Sequence, residues 1–227
     1  MCHALDVATD RIIDLRKLLA QRFPQETLPA ADRWVTGLAS LDTALGGGLT
    51  KGAITEISNG AGSAGCASLI AALLQRVRRE RSFLALIDGR DSFDPQSMGD
   101  HALPHLLWVR SRAAGEAMQA ADLLLRDGNF PLVILDLVLN PVAELRRIPS
   151  SSWYRLQRLV EPAPTVFLVL TPRSLVNSAQ WKLVLENRWT LGQLEKEAAH
   201  LQSRLQMRLQ RAQPNKWRSE SRIATAG

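Results

Sequence analysis

The sequence predicts an α/β domain with a mostly parallel central sheet, flanking helices, and an antiparallel strand pair near its C-terminal end. Three observations predict it. From residue 53 onward, short apolar runs of strand length alternate with amphipathic stretches of helical period, the pattern of a parallel sheet covered on both faces. A glycine-rich turn joins the first such run to the first helical stretch. In the last third, apolar residues fall at every second position instead, as half-buried strands require.

The elements follow in order. Residues 9–23, TDRIIDLRKLLAQRF, put Ile12, Leu15, Leu18, Leu19 and Phe23 on one helical face, with Thr9 or Asp10 as N-cap and Pro24 as stop. A polar linker, QETLPAAD, comes next. Residues 53–58 read as a buried strand, 66–79 as a helix, 83–88 and 106–109 as strands, and 113–126 as a helix stopped by Asp127-Gly128-Asn129. Residues 132–137 and 165–170 are apolar runs of strand length on either side of a helix over 151–161, where Trp153-Tyr154 reads as core. Trp181, Leu183 and Leu185 alternate with more polar neighbours, a short helix spans 191–201, and Leu205, Met207 and Leu209 alternate again. The rival is one long helix with Leu191, Leu194, Leu201 and Leu205 as a coiled-coil seam; the alternation at both ends favours strands. The tail from Pro214 has the composition of a disordered segment. The expected organisation is a helix and linker over 1–30, the core domain over 31–212 and a basic tail over 213–227.

At 227 residues and 46% hydrophobic composition, the chain can bury one sizeable core. No apolar run approaches the roughly 20 residues of a membrane helix, and the opening MCHALDVATD lacks the apolar stretch of a signal peptide. A cytoplasmic protein without a membrane partner is expected. Cys2 and Cys66 lie far apart, and His3, His101, His105 and His200 show no ligand spacing, so no metal is expected. The net charge is +6, with one cluster at Arg76, Arg78, Arg79 and Arg81 and another at Arg204, Arg208, Arg211, Lys216, Arg218 and Arg222. Such segments suit DNA or acidic partners, or form a solvated surface.

The turn after residues 53–58 reads Asn59-Gly60-Ala61-Gly62-Ser63-Ala64-Gly65-Cys66-Ala67-Ser68. Its spacing, a glycine, four residues and a second glycine before a helix, is that of a phosphate loop, in which backbone N–H groups curl around an anion. An intact loop continues with lysine and then Ser or Thr. Here those places hold Cys66 and Ala67. Neither a positive charge nor a magnesium-binding hydroxyl is supplied there. Ser68 has a hydroxyl, but one position on, about 100° around the helix. Two readings stay open at the loop: a bare strand–helix turn, or weak nucleotide binding through the backbone alone. A helix N-terminus can lower a thiol's pKa and make Cys66 a nucleophile, yet no base is adjacent in sequence.

Several stretches resemble the bacterial recombinase RecA in the same order. They are Thr36-Gly37-Leu38-Ala39-Ser40-Leu41-Asp42, Ala44-Leu45-Gly46-Gly47-Gly48-Leu49, Lys51-Gly52, Ile54-Thr55-Glu56-Ile57, residues 83–88 with Asp94-Pro95, Leu106-Leu107, Gly115-Glu116 and residues 132–136. The resemblance spans roughly residues 34–212 and implies a RecA-like phosphate-loop core. It also implies what has been lost. Arg90 stands where the family has its catalytic glutamate, and Thr171-Pro172-Arg173 where it has a sensing glutamine. Asp136 alone holds the Walker B position. The segment 172–179 is shorter than the family's second DNA-binding loop. No catalytic residue is therefore expected, and no cofactor beyond a weakly bound nucleotide.

His105-Leu106-Leu107-Trp108-Val109-Arg110, residues 120–128, Leu145-Arg146-Arg147-Ile148-Pro149 and residues 153–159 resemble the ImuA family of short RecA-related factors. That resemblance implies a non-catalytic accessory role in SOS-induced mutagenic translesion synthesis. The partners it implies are an ImuB-like Y-family polymerase homologue, an error-prone DnaE-type polymerase and RecA itself. Ile12, Leu15 and Leu19, and Trp217 with Arg218 in the basic tail, are the candidate partner-binding residues. Two other classes compete: a SulA-type inhibitor of cell division, and a DNA-dependent ATPase with an unorthodox site.

Overall fold

Continuous apolar runs make buried parallel strands because alternate residues feed the two faces of one sheet. The computed structural model describes residues 33–60, 65–98, 101–194 and 197–212. A small antiparallel ribbon opens it, β1 (Arg33–Trp34) with β2 (Leu49–Thr50), around the short helix α1 (Ala39–Ala44). The main strands are β3 (Ala53–Asn59), β4 (Leu84–Asp88), β5 (Leu106–Arg110), β6 (Leu132–Asp136), β7 (Val166–Thr171), β8 (Trp181–Leu185) and β9 (Met207–Ala212). They lie in the order β5-β4-β6-β7-β3-β8-β9. Every pairing is parallel except that of β8 with β9.

The helices are α2 (Cys66–Arg79), α3 (Ala114–Asp127), α4 (Val142–Leu145), α5 (Ser150–Val160), α6 (Leu191–Leu194) and α7 (Ala198–Ser203). One core joins Leu69, Leu73, Leu74 and Val77 of α2 to Leu84, Leu86, Ile134 and Leu168 of the sheet. The other joins Ala117, Ala121 and Leu125 of α3, and Trp153, Leu156 and Val160 of α5, to Ala85, Ile87, Val133, Leu135, Phe167 and Val169. Within β4, β6 and β7, neighbouring residues go to opposite cores, so neither face of these strands tolerates a polar run. Gly128 ends α3 in the left-handed region, at φ 70°, with its N–H donated to Leu124 O.

The strand pair of the last third is present: Leu183 faces Leu209 and Leu185 faces Met207. The coiled-coil alternative fails, because Leu201 and Leu205 are buried in this same domain. The single helix expected over 191–201 is instead two short ones. Glu197, the N-cap of α7, has an extended backbone (φ −54°, ψ 143°). Phe83 is exposed and the second strand starts at Leu84. Trp153 is core as expected, but Tyr154 is 49% exposed; adjacent helical residues point about 100° apart. The helix expected over 9–23, the linker and the tail from 213 lie outside the described residues. Among the described residues, no helix is long and apolar enough to cross a membrane.

Candidate functional site

The glycine loop, Asp136 and Arg90 all follow the carboxyl ends of parallel strands, the edge where α/β sheets bind ligands. β3 delivers Asn59 and Gly60, and Gly60 N donates to Leu185 O at 3.1 Å. Gly62 lies outside the described residues. Gly65 caps α2 at φ 127°, a backbone region that disfavours a side chain. A Cβ there would also come within 3.0 Å of Leu205 Cδ2 and 3.4 Å of Trp189 Nε1.

Cys66 follows, half-buried, with its thiol 3.8 Å from Asn59 Oδ1. Burial, reinforced by the negative charge of Asp136, pushes that thiol up to about 12. Burial therefore works against the lowered-pKa alternative for Cys66. Ala67 is exposed, and Ser68 is partly buried one position on.

Asp136 ends β6 beside Asp88 of β4. Burial pushes its carboxyl up to about 6; the Val138 N–H, at 3.0 Å, opposes the rise, and the Asp88 charge adds to it. Asp88 itself is fully engaged. It accepts the N–H groups of Ser92 and Phe93, each at 2.7 Å, and of Arg90 at 3.2 Å, so it shapes the turn after β4. Arg90, at the place of the family's glutamate, extends to the edge strand: its Nη1 donates to Arg112 O at 2.9 Å. The side chain at this place is thus a cation rather than a carboxylate.

Gly89 lies where β4 and β6 come together. A Cβ on it would fall 2.4 Å from Asn140 Oδ1 and 2.8 Å from the Asp136 carbonyl. Gly89→Ala is expected to cost about 1–3 kcal/mol, as overpacking does. Urea denaturation checks this, and an unchanged midpoint would contradict it.

β7 ends at Thr171, whose hydroxyl donates to Glu56 Oε1 at 3.1 Å. Glu56 is wholly buried. It also accepts from Leu175 N at 2.6 Å, Val176 N at 3.0 Å and Ser174 Oγ at 3.1 Å, and pairs with Lys182 Nζ at 2.9 Å. One carboxylate thus pins the whole turn after β7 to the middle of the sheet. Nothing in the spacing of Glu56 and Lys182 along the chain predicts this pairing. The available signal was an acid inside the apolar run Ala53-Ile54-Thr55-Glu56-Ile57.

The structure brings together Gly60, Gly65, Cys66, Asp136 and Arg90 along one edge of the sheet. Ile12, Leu15, Leu19, Trp217 and Arg218 lie outside the described residues. Among the described residues, no cluster of three or more His, Cys, Asp or Glu side chains could hold a metal ion. Of the first arginine cluster, Arg76 is engaged by Glu80 and Val35 O, while Arg78, Arg79 and Arg81 are exposed.

Comparison with known proteins agrees with this architecture. The RecA N-terminal domain matches residues 19–159. The chain is 32% identical over 154 residues to Protein RecA of Acinetobacter baumannii, covering 65% of this chain and 44% of that protein. It is 31% identical over 149 residues to Protein RecA of Xylella fastidiosa, covering 63% and 43%. Against Protein RecA of Francisella philomiragia it is 32% identical over 145 residues, covering 61% and 40%. The matched region spans less than half the length of each of these relatives.

Proposed function

The chain belongs to the RecA N-terminal domain family, and from that membership we propose that it serves DNA repair as a non-catalytic accessory factor of mutagenic translesion synthesis. One observation carries the reading. The position where the family's lysine meets nucleotide phosphates holds Cys66, a neutral thiol directed at Asn59. The residues present do not fit a magnesium–nucleotide complex poised for hydrolysis. Ala67 supplies no hydroxyl, and Arg90 replaces the base that would activate water. Losing one preorganised group typically costs about 10²–10³ in rate, and three are replaced here.

What remains is a RecA-shaped body without RecA chemistry. Such a body recognises partners by its surface. A homologue that offers one assembly surface but not the next caps a polymer rather than extending it. On this reading the chain, of the ImuA type, docks to an ImuB-like Y-family polymerase homologue and an error-prone DnaE-type polymerase, and meets RecA through the candidate residues Ile12, Leu15 and Leu19.

The purified protein with ATP, magnesium and single-stranded DNA is expected to show no turnover above buffer, and DNA-stimulated hydrolysis would overturn the non-catalytic reading. The partner assignment is tested separately. Co-purification with the ImuB-like polymerase homologue is expected; failure of that complex at micromolar concentrations would remove the translesion role.

A further inference from the structure

The main sheet ends in β9, and among the described residues no strand pairs with its outer side. Five of its six residues are exposed, against two of five in β5 at the opposite edge. An edge strand presents a row of unpaired backbone N–H and C=O groups, a template for one more strand. This edge is anchored where it begins. Asn187 donates to Arg204 O and accepts from Gln206 N, both at 2.7 Å. Glu186 N donates to Gln206 O at 3.0 Å, so the entry into β9 is fixed against the end of β8.

The side chains of β9 sort by charge, since residues opposite each other in a strand pair share a face. Met207 lies opposite Leu185 and Leu209 opposite Leu183. Both partners belong to the core, so this face of β9 is apolar, and Leu209 is 39% exposed at its margin. Arg208 lies opposite Val184 and Arg211 opposite Lys182. Residue 210 is the extra one of a bulge, which brings two arginines three positions apart onto the same face. The Lys182 ammonium is already taken by Glu56 at 2.9 Å. Arg208 bridges to Glu186 at 2.6 Å, but both side chains are well exposed, and such pairs hold weakly. Arg211 forms no ion pair among the described residues. Residues 200–212 contain Arg204, Arg208 and Arg211 and no acid.

Charge decides which strand this edge accepts. Like charges across a pair are destabilising, so the arginines guard the edge against a second copy of itself. The chain's own residues 213–227 fit no better, with Lys216, Arg218 and Arg222 against Glu220 alone. We propose that the outer edge of β9 takes an extended, acidic segment of a partner protein as an eighth strand of the sheet. Its carboxylates lie against Arg208 and Arg211, and its apolar residues beside Leu209. In strand addition the backbone ladder supplies affinity and alternate side chains supply specificity. The site goes beyond the accessory reading above, since it holds whether or not the partner is a polymerase.

Fluorescence anisotropy of a labelled peptide of alternating valine and glutamate, titrated with the full chain, tests it. Saturable binding is expected, and Arg208→Ala with Arg211→Ala should weaken it about 10-fold. Arg208→Glu with Arg211→Glu should reverse the preference, taking a valine–lysine peptide over the valine–glutamate one, which a misfolded variant would not do. The same acidic peptide N-methylated throughout keeps its charges but cannot donate to the ladder, and it should not bind. Arg78→Ala with Arg79→Ala, at the far end of α2, should leave binding unchanged. The proposal is overturned if the acidic peptide fails to bind at millimolar concentration. Equal binding of the N-methylated peptide, or an equal loss in the distant variant, reduces the effect to general charge attraction and also overturns it. Displacement of the peptide by a single-stranded oligothymidylate that needs the same two arginines would make the edge a nucleic-acid surface instead.

Discussion

Glu56→Ala is expected to lower folding stability by about 3–5 kcal/mol, the usual cost of removing one member of a buried ion pair. Glu56 is fully buried, and Lys182 is only 7% exposed. Without the carboxylate, the ammonium would keep one partner, Ser174 Oγ at 2.9 Å. The N–H groups of Leu175 and Val176 and the hydroxyl of Thr171 would lose their acceptor. The turn after β7 is then expected to open first. Urea denaturation measures the global loss, and hydrogen exchange at Leu175 and Val176 measures the local one. Glu56→Gln with Lys182→Met, which removes both charges, should recover much of the loss. A single-variant loss below about 1 kcal/mol, the level of an exposed pair, would sink this account.

The contrast between Glu56 and the rest of the sheet shows what a sequence can reveal. Residues 66–79 form the helix that their sequence predicts, to the residue, because their apolar period is strong and a glycine stands at the entry. The strands came from apolar runs too long to alternate and too short for helices, and they form within a residue or two of the expected bounds. The helix expected over 191–201 is interrupted, with a non-helical backbone at Glu197 that no apolar period reports. At the site, glycine spacing exposed the loop, since backbone curvature needs particular residues at fixed offsets. Lys182 was not legible as the partner of Glu56, for pairing across the sheet depends on strand order. Nor could spacing show that Trp189 and Leu205 press on Gly65.

Asp136→Asn is expected to stabilise the protein at neutral pH by up to about 3 kcal/mol, the equivalent of moving a carboxyl from 3.8 to about 6. The sign follows from linkage. The folded protein holds the Asp136 proton more tightly than the unfolded chain does. Its favourable contribution is complete below pH 3.8, declines as pH rises, and is gone above about pH 6. Asparagine keeps an oxygen for the Val138 N–H while removing the charge beside Asp88. Wild-type and variant stabilities should therefore converge at low pH and separate between about pH 4 and pH 6. Parallel curves across that window would contradict the assignment. A lysine at position 66 would have balanced this carboxylate; Cys66 leaves it unbalanced.

The strand order has a consequence for how the chain folds as it is made. β3, which leads into the glycine loop, is the fifth strand across the sheet, held between β7 and β8. Both neighbours are encoded more than a hundred residues later, with Ala53 against Val166 and Thr55 against Trp181. While β4, β5 and β6 can assemble among themselves as they emerge, β3 must wait for nearly the whole domain before either of its edges is covered. Contacts of such long sequence separation make folding slow and leave apolar strand edges open to aggregation in the meantime. Ribosome-bound chains halted before residue 166 should therefore need a chaperone to shield β3, even though the finished domain buries six of its seven residues.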